Sequence, residues 1–271
     1  MDELHRDEGK LVARLTPPAA RDASARVAQA AGFADRAGDM LAFLRRPTPA
    51  PASLGAAPLA GAGARGAMLA LAAVLAVHLA LDLPARLLLA LADARAAFLP
   101  APALPDMGPA RQALVALLIA PVLEELAFRG WLSGRIAALR LALYGFAALG
   151  VLLARFLAPD GWQPGLAMLA LGLVCAGLVQ WQRSRARDAA VPGWFTRHFA
   201  AITWASALAF GLIHLGNYAP LTHPLGVLVV APQVLGGLCL AYSRTRLGLG
   251  AAMAHHALYN LLWLAAQGVG G

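Results

Sequence analysis

The stretch "ALVALLIAPVLEELAFRG", residues 113–130, is apolar for its first eleven positions and then places Glu124 and Glu125 side by side. Arg129 follows Glu125 by four residues, the spacing that puts two side chains on one face of a helix. An ionised carboxylate inside a membrane span costs several kcal/mol unless it is paired or meets water. The stretch therefore poses two questions: whether the chain spans a membrane, and what the second glutamate is for.

The whole chain answers the first. It has 271 residues, 60% of them hydrophobic and 13% charged. A soluble domain carries roughly twice that share of charge. The apolar residues fall into seven runs, near 67–92, 111–128, 137–157, 164–181, 199–215, 223–242 and 248–267. Each is about the length that crosses a bilayer as a helix. The expected fold is all-α, a polytopic transmembrane helical bundle of about seven spans. In the first run "LDLPAR" intervenes, where Asp82 and Arg86 can pair on one face and Pro84 can kink the helix. A short span followed by an interfacial helix is the other reading of that run.

The sequence pI near 10.7 does not point to nucleic acid. The arginines sit in short loops between apolar runs, where membrane topology puts them. With the N-terminus inside, the inner loops hold nine arginines (129, 135, 140, 183, 185, 187, 197, 244 and 246) against three outer ones, 95, 111 and 155. That asymmetry predicts a cytoplasmic N-terminus. The run "QRSRAR" is its strongest anchor, and binding of anionic lipid is the other reading of that run.

Residues 1–66 are expected to form a polar N-terminal segment ending in a Pro/Ala/Gly linker, and 67–271 the membrane domain. Nothing at the start reads as a secretory signal, since residues 1–46 are polar and of mixed charge; "AAQGVGG" at the end carries no lipidation motif. Cys175 and Cys239 lie in apolar segments and read as small core residues.

Beyond residue 66 the chain has seven acidic residues, and only Glu124 and Glu125 fall within an apolar run away from a break. Arg129 can neutralise Glu125. Glu124 points about 100° away and needs another partner. "FGLIHLGNY" supplies His214, one turn after Phe210, and "AAMAHHALYN" supplies His255, His256 and Asn260. His256 and Asn260 share a face; His255 is turned toward a different helix. A carboxylate in low dielectric gains proton affinity and can act as general base on water. A histidine beside it can orient that water, and a His/Asn pair one turn apart can donate to an oxyanion. These are the parts of a hydrolase that uses water directly. No serine nucleophile elbow and no "HExxH" is present.

"EELAFRG", "FGLIH" and "HHALYN", in that order, resemble the three motifs of the CPBP family, the CAAX-protease and bacteriocin-processing intramembrane proteases. The resemblance spans roughly residues 108–267. It implies packed transmembrane helices around an intramembrane site, with Glu124 as general base, His214 beside it, and His256 and Asn260 as oxyanion stabilisers. Glu125, Arg129 and Phe210 complete the motifs as supporting residues. The resemblance favours metal-free chemistry; the alternative is a divalent ion such as zinc on Glu124, His214 and His256. About 90 residues separate Glu124 from His214, more than twice the spacing expected in that family, so 137–181 reads as an inserted helical hairpin. By span edges alone, His214 falls nearer the outer end of its span than Glu124 does.

The expected function is an intramembrane endopeptidase in a bacterial inner membrane. Its partners would be membrane lipids and a membrane-associated protein or peptide substrate, with no nucleic acid. A non-catalytic immunity or scaffold protein on the same fold, and a proton-coupled transporter, are the competing readings. An internal inverted repeat would favour the transporter, and none is evident in the sequence.

Overall fold

The computed structural model describes residues 33–49, 63–103, 107–155 and 158–269. Most of the polar N-terminal segment and of the Pro/Ala/Gly linker therefore lies outside the described residues. Those residues are helical, with no strand among them and one isolated bridge between Pro102 and Tyr218. In chain order the helices are α1 (Phe33–Arg45), α2 (Gly63–Ala96), α3 (Pro109–Leu114), a π-helical turn (Val115–Ile119) and α4 (Ala120–Arg129). There follow α5 (Ile136–Arg155), α6 (Gln163–Ser184), α7 (Gly193–Arg197), α8 (Phe199–Ile213), α9 (Ala231–Arg246) and α10 (Leu249–Val269). Short 3₁₀ turns link several of them, including His214–Asn217 directly after α8.

Among the described residues, five segments are long and apolar enough to cross a membrane: Arg65–Ala96, Ile136–Arg155, Asp160–Ser184, Phe199–Asn217 and Pro224–Arg246. The chain is an integral membrane protein. The other two expected spans are the segments that carry the Glu/Glu/Arg and His/Asn motifs. Pro109–Arg129 is continuous helix with a π-turn inside it but carries Arg111, Glu124, Glu125 and Arg129, and α10 is 21 residues long but is diluted by His255, His256 and Asn260. The first apolar run is a single 34-residue helix that passes through Pro84, rather than a short span with a separate interfacial helix.

The surface of the long helices is apolar: Leu143, Leu153, Met168 and Leu171 are more than half exposed. In a soluble protein such a surface would be a liability; in a bilayer it is the lipid face. α9 is the exception and the centre of the bundle. Every residue from Gly236 to Ser243 is buried, as expected for a helix that is enclosed on all sides. It packs against α1, α2, α8 and α10 and also touches α4. Lipid tails are as apolar as leucine, so helices here associate through close packing of small residues and polar contacts. Gly237 is one such point, since a Cβ there would lie 3.1 Å from the Ala207 backbone.

Two features depart from the sequence picture. α1 belongs to the polar N-terminal segment, yet Met40 and Phe43 are buried against the bundle. Tyr242 meets Phe43 edge-on and donates from its hydroxyl to Asp39 at 3.0 Å, while Arg246 Nε reaches the same carboxylate at 3.2 Å. Cys239 is buried as a core residue should be, but Cys175 is exposed on α6.

Candidate active site

The site is built on a fault in the helix that carries the glutamates. Pro121 has no backbone N–H, so the carbonyl it would serve one helical turn back loses its donor. In the turn before it the register slips: the Ala120 N–H bonds Val115 O, an i→i+5 step. The next i→i+5 donor, for Ala116, would be Pro121, which has none. The side chain of Asn260 on α10 supplies the missing hydrogen, its Nδ2 donating to Ala116 O at 2.8 Å. Such π-turns are frequent at functional sites, and neighbouring side chains re-satisfy the freed backbone inside membranes. Asn260 therefore ties α10 to the helix just ahead of the glutamates.

One turn nearer the start of α10, His256 does the same for the carboxylates. Glu125 and Arg129 are fully buried, and Arg129 Nη1 donates to Glu125 Oε1 at 3.0 Å. His256 Nδ1 lies 3.0 Å from the same oxygen. An ion-paired carboxylate only accepts, so Nδ1 carries the hydrogen and Nε2 of a neutral ring carries the lone pair. That Nε2 lies 3.8 Å from Glu124 Oε2, too far for a direct hydrogen bond. Glu124 is about a quarter exposed, and its Oε2 has no hydrogen-bond partner among the described residues. Two adjacent glutamates thus differ in kind: Glu125 is engaged twice, and Glu124 is held close to a histidine without being bonded to it.

Phe210 of α8 joins the parts. Its ring receives the Arg129 guanidinium at 3.9 Å from the centroid, a cation–π contact, and meets His256 edge-on at 6.0 Å. The His214 ring lies 4.7 Å from it, and His214 Nδ1 is 2.7 Å from Phe210 O. His214 reaches the set through Phe210. Ser206, one turn before Phe210, donates to Phe128 O at 2.7 Å and pins α8 to α4. Behind the guanidinium, Arg129 Nη2 lies 3.2 Å from where a Cβ on Gly237 would be, so a side chain there would crowd the arginine by a few tenths of an ångström. Arg244 Nε donates to Arg129 O at 2.9 Å and Nη2 to Gly130 O at 3.3 Å, closing the end of α4 with a cation as helix ends favour.

The seven motif residues therefore come to one place. Arg129, Glu125 and His256 form a hydrogen-bonded chain, Phe210 meets both Arg129 and His256, and Glu124 approaches His256, with His214 beside Phe210 and Asn260 one turn above His256. The spacing suggested that His256 and Asn260 both aim at a free oxygen. Here Nδ1 of the one faces Glu125, and the other gives one of its two amide hydrogens to Ala116. No three His, Cys, Asp or Glu side chains converge as a metal shell among the described residues.

The model of the type II CAAX prenyl endopeptidase Rce1-like family matches residues 107–187 and 186–262. The chain belongs to this family. The first matched segment contains Glu124, Glu125 and Arg129; the second contains Phe210, His214, His256 and Asn260. No curated protein and no solved structure matches the chain. Membership in the CAAX-protease family points to an intramembrane endopeptidase.

This CAAX-protease-family bundle also holds a second polar network, most of which the motifs do not cover. His255, the neighbour of His256, faces away from the glutamates as expected. Its Nδ1 is 2.8 Å from Ser243 Oγ on α9 and its Nε2 3.1 Å from His78 Nδ1 on α2. His78 stacks on Tyr259 at 4.3 Å, and Tyr259 donates to Asp82 Oδ2 at 2.6 Å. Arg86 Nε reaches the same oxygen at 2.6 Å, and its guanidinium lies 4.3 Å over Trp263. The Asp82–Arg86 pair was legible in the sequence; His78, Ser243 and Tyr259 were not identified from it. The available signal was His78, Asp82 and Arg86 at four-residue intervals, a polar stripe down one face of an apolar helix.

Proposed function

We propose that this chain is an intramembrane endopeptidase that hydrolyses a peptide bond near the membrane using water activated by Glu124. The observation that carries the reading is the unpaired Glu124 Oε2, 3.8 Å from His256 Nε2. Two acceptors at that spacing can both take hydrogens from one water. As the carboxylate accepts the water's proton, the oxygen becomes the nucleophile. His214, set beside Phe210, steadies the water or passes the proton to the leaving amine. The second amide hydrogen of Asn260 supplies a donor for the oxyanion, and the His256 ring joins it when Glu124 hands the water's proton on to Nε2, from which that same proton leaves with the amine as the intermediate collapses. Glu125 and Arg129 hold His256 and α4 in register.

We read the chemistry as metal-free, supported by the ties of His256 to Glu125 and of Asn260 to the backbone. The substrate is a membrane-associated protein or peptide. The arginine asymmetry supports seven crossings with a cytoplasmic N-terminus, and the setting is a bacterial inner membrane. Residues 137–181 form the inserted hairpin of the membrane domain.

The test compares membranes containing the wild type with membranes containing Glu124→Gln, by labelling newly formed protein termini over time. The wild type should generate new termini close to membrane segments, and the variant should do so at least 10²-fold more slowly while folding normally. Equal rates would remove Glu124 from the mechanism. A wild type that cuts nothing would favour a scaffold on the same fold. Cleavage should persist in a strong chelator; loss that zinc restores would turn Glu124, His214 and His256 into ligands.

A further inference from the structure

Outside the site, the hairpin of α5 and α6 packs chiefly on itself. Its helices approach closely at Gly177, where a Cβ would lie 2.7 Å from Tyr144 Cβ. At the end where α5 begins and α6 finishes, the hairpin opens into a cavity of about 410 Å³ between the two helices. That volume is in the range of small-ligand sites, roughly 300–1,000 Å³. Arg140, Arg183 and Arg187 line it together with Asp188, which ion-pairs with Arg140. Three arginines against one aspartate leave a net charge of +2. Ser184 also lines the cavity; it is 95% buried (5% exposed), and its Oγ has no hydrogen-bond partner among the described residues. Gln180 is held at the wall by the Tyr144 hydroxyl at 3.2 Å.

A second groove of the same size shares Val179 and Arg183 with the cavity and is lined by Leu178 and Trp181. It is almost wholly apolar, and Leu178 and Val179 are half exposed. Arg185 lies 5.1 Å over the Trp181 ring. Basic pockets between membrane helices, next to an apolar face and an interfacial tryptophan, suit a molecule with an anionic head and a greasy tail. Guanidinium forks match phosphate oxygens, and a buried hydroxyl adds a charge-assisted hydrogen bond.

We infer that the basic end of the α5–α6 hairpin is a binding site for an anionic glycerophospholipid. Its phosphodiester sits among Arg140, Arg183, Arg187 and Ser184, and an acyl chain runs along Leu178 and Trp181. The charge complement explains why an excess of arginine lines the same cavity as a serine hydroxyl with no partner among the described residues. The apolar groove decides for a lipid over a soluble anion. Bound there, the lipid would brace a hairpin that otherwise has few ties to the bundle.

The experiment uses the full chain in nanodiscs of phosphatidylglycerol and phosphatidylcholine in equal amounts, released into the gas phase for native mass spectrometry. The wild type should retain one phosphatidylglycerol in preference to phosphatidylcholine by tenfold or more; equal retention of the two would overturn the inference without any variant. Arg183→Gln/Arg187→Gln should remove that preference while melting as the wild type does in pure phosphatidylcholine. Ser184→Ala should weaken it several-fold. Undiminished preference in both variants would place the lipid elsewhere. Inorganic phosphate added at millimolar concentration should not displace the lipid; displacement at that level would reassign the cavity to a free anion. Neither variant touches the proposed catalytic residues, so cleavage and lipid retention are read separately.

Discussion

Two carboxylate–arginine pairs are built alike in this molecule, and only one has a second carboxylate beside it. Asp82 and Arg86 on α2, and Glu125 and Arg129 on α4, are each four residues apart, and each acid is also met by a side chain of α10. Tyr259 bonds Asp82, and His256 bonds Glu125. Each guanidinium lies over an aromatic ring, Trp263 for Arg86 and Phe210 for Arg129. A buried ion pair of this kind is a way to hold α10 against another helix inside lipid, and by itself it implies no chemistry. What sets the α4 pair apart is Glu124, which sits next to it and is not absorbed by it. The candidate active site is a structural device with one uncommitted carboxylate added.

The two pairs also differ in exposure, and stability measurements can exploit that. Arg129 is fully buried, while the Arg86 side chain is 28% exposed. Arg129→Ala strands the Glu125 charge in the core, and breaking such a pair costs about 3–5 kcal/mol. The variant should show a large drop in thermal stability in detergent, or should fail to accumulate. A variant as stable as the wild type but inactive would break the comparison and move Arg129 into the reacting set.

Asp82→Asn comes next. It leaves Arg86 able to reach water or headgroups, so the cost falls to roughly 1.5–3 kcal/mol, the range for hydrogen bonds to charged groups. Cleavage by the folded fraction should stay within a few-fold of wild type. Loss of cleavage as large as that expected for Glu124→Gln, at unchanged stability, would show that the α2 pair takes part in the chemistry.

Much of this arrangement was legible in one sequence because helices report their own faces. Four-residue spacing gave the Glu125–Arg129 and Asp82–Arg86 pairs and the common face of His256 and Asn260, and motif order gave the set that converges. Contacts between distant helices leave no such mark. His78 and His255 are 177 residues apart, and nothing in either apolar run names the other as its neighbour. The π-turn depends jointly on Pro121 and on a donor from α10, so it needed the assembled bundle. The docking of α1 was hidden because Met40 and Phe43 are two buried residues in an otherwise polar stretch. The two motif helices fall outside the five apolar spans for the reason that makes them interesting: polar side chains that face the site lower the hydropathy averaged along the helix.

The smallest effect separates the two roles of Tyr259. Its ring stacks on His78, 8° from parallel, and its hydroxyl donates to Asp82. Tyr259→Phe keeps the stack and removes the hydroxyl, and Asp82 still holds Arg86 Nε on the same oxygen. The hydroxyl also accepts from Arg86 Nη2 at 3.1 Å, so two bonds are lost; the cost should be about 1–2 kcal/mol, because Asp82 and Arg86 keep each other as partners. Melting should fall slightly, and the cleavage rate should be unchanged. Combined with Asp82→Asn, the two losses should total less than their sum, since both remove the same contact. Full additivity would mean that Tyr259 and Asp82 act independently, and that the α2 network does not hold α10 in the way the α4 network does.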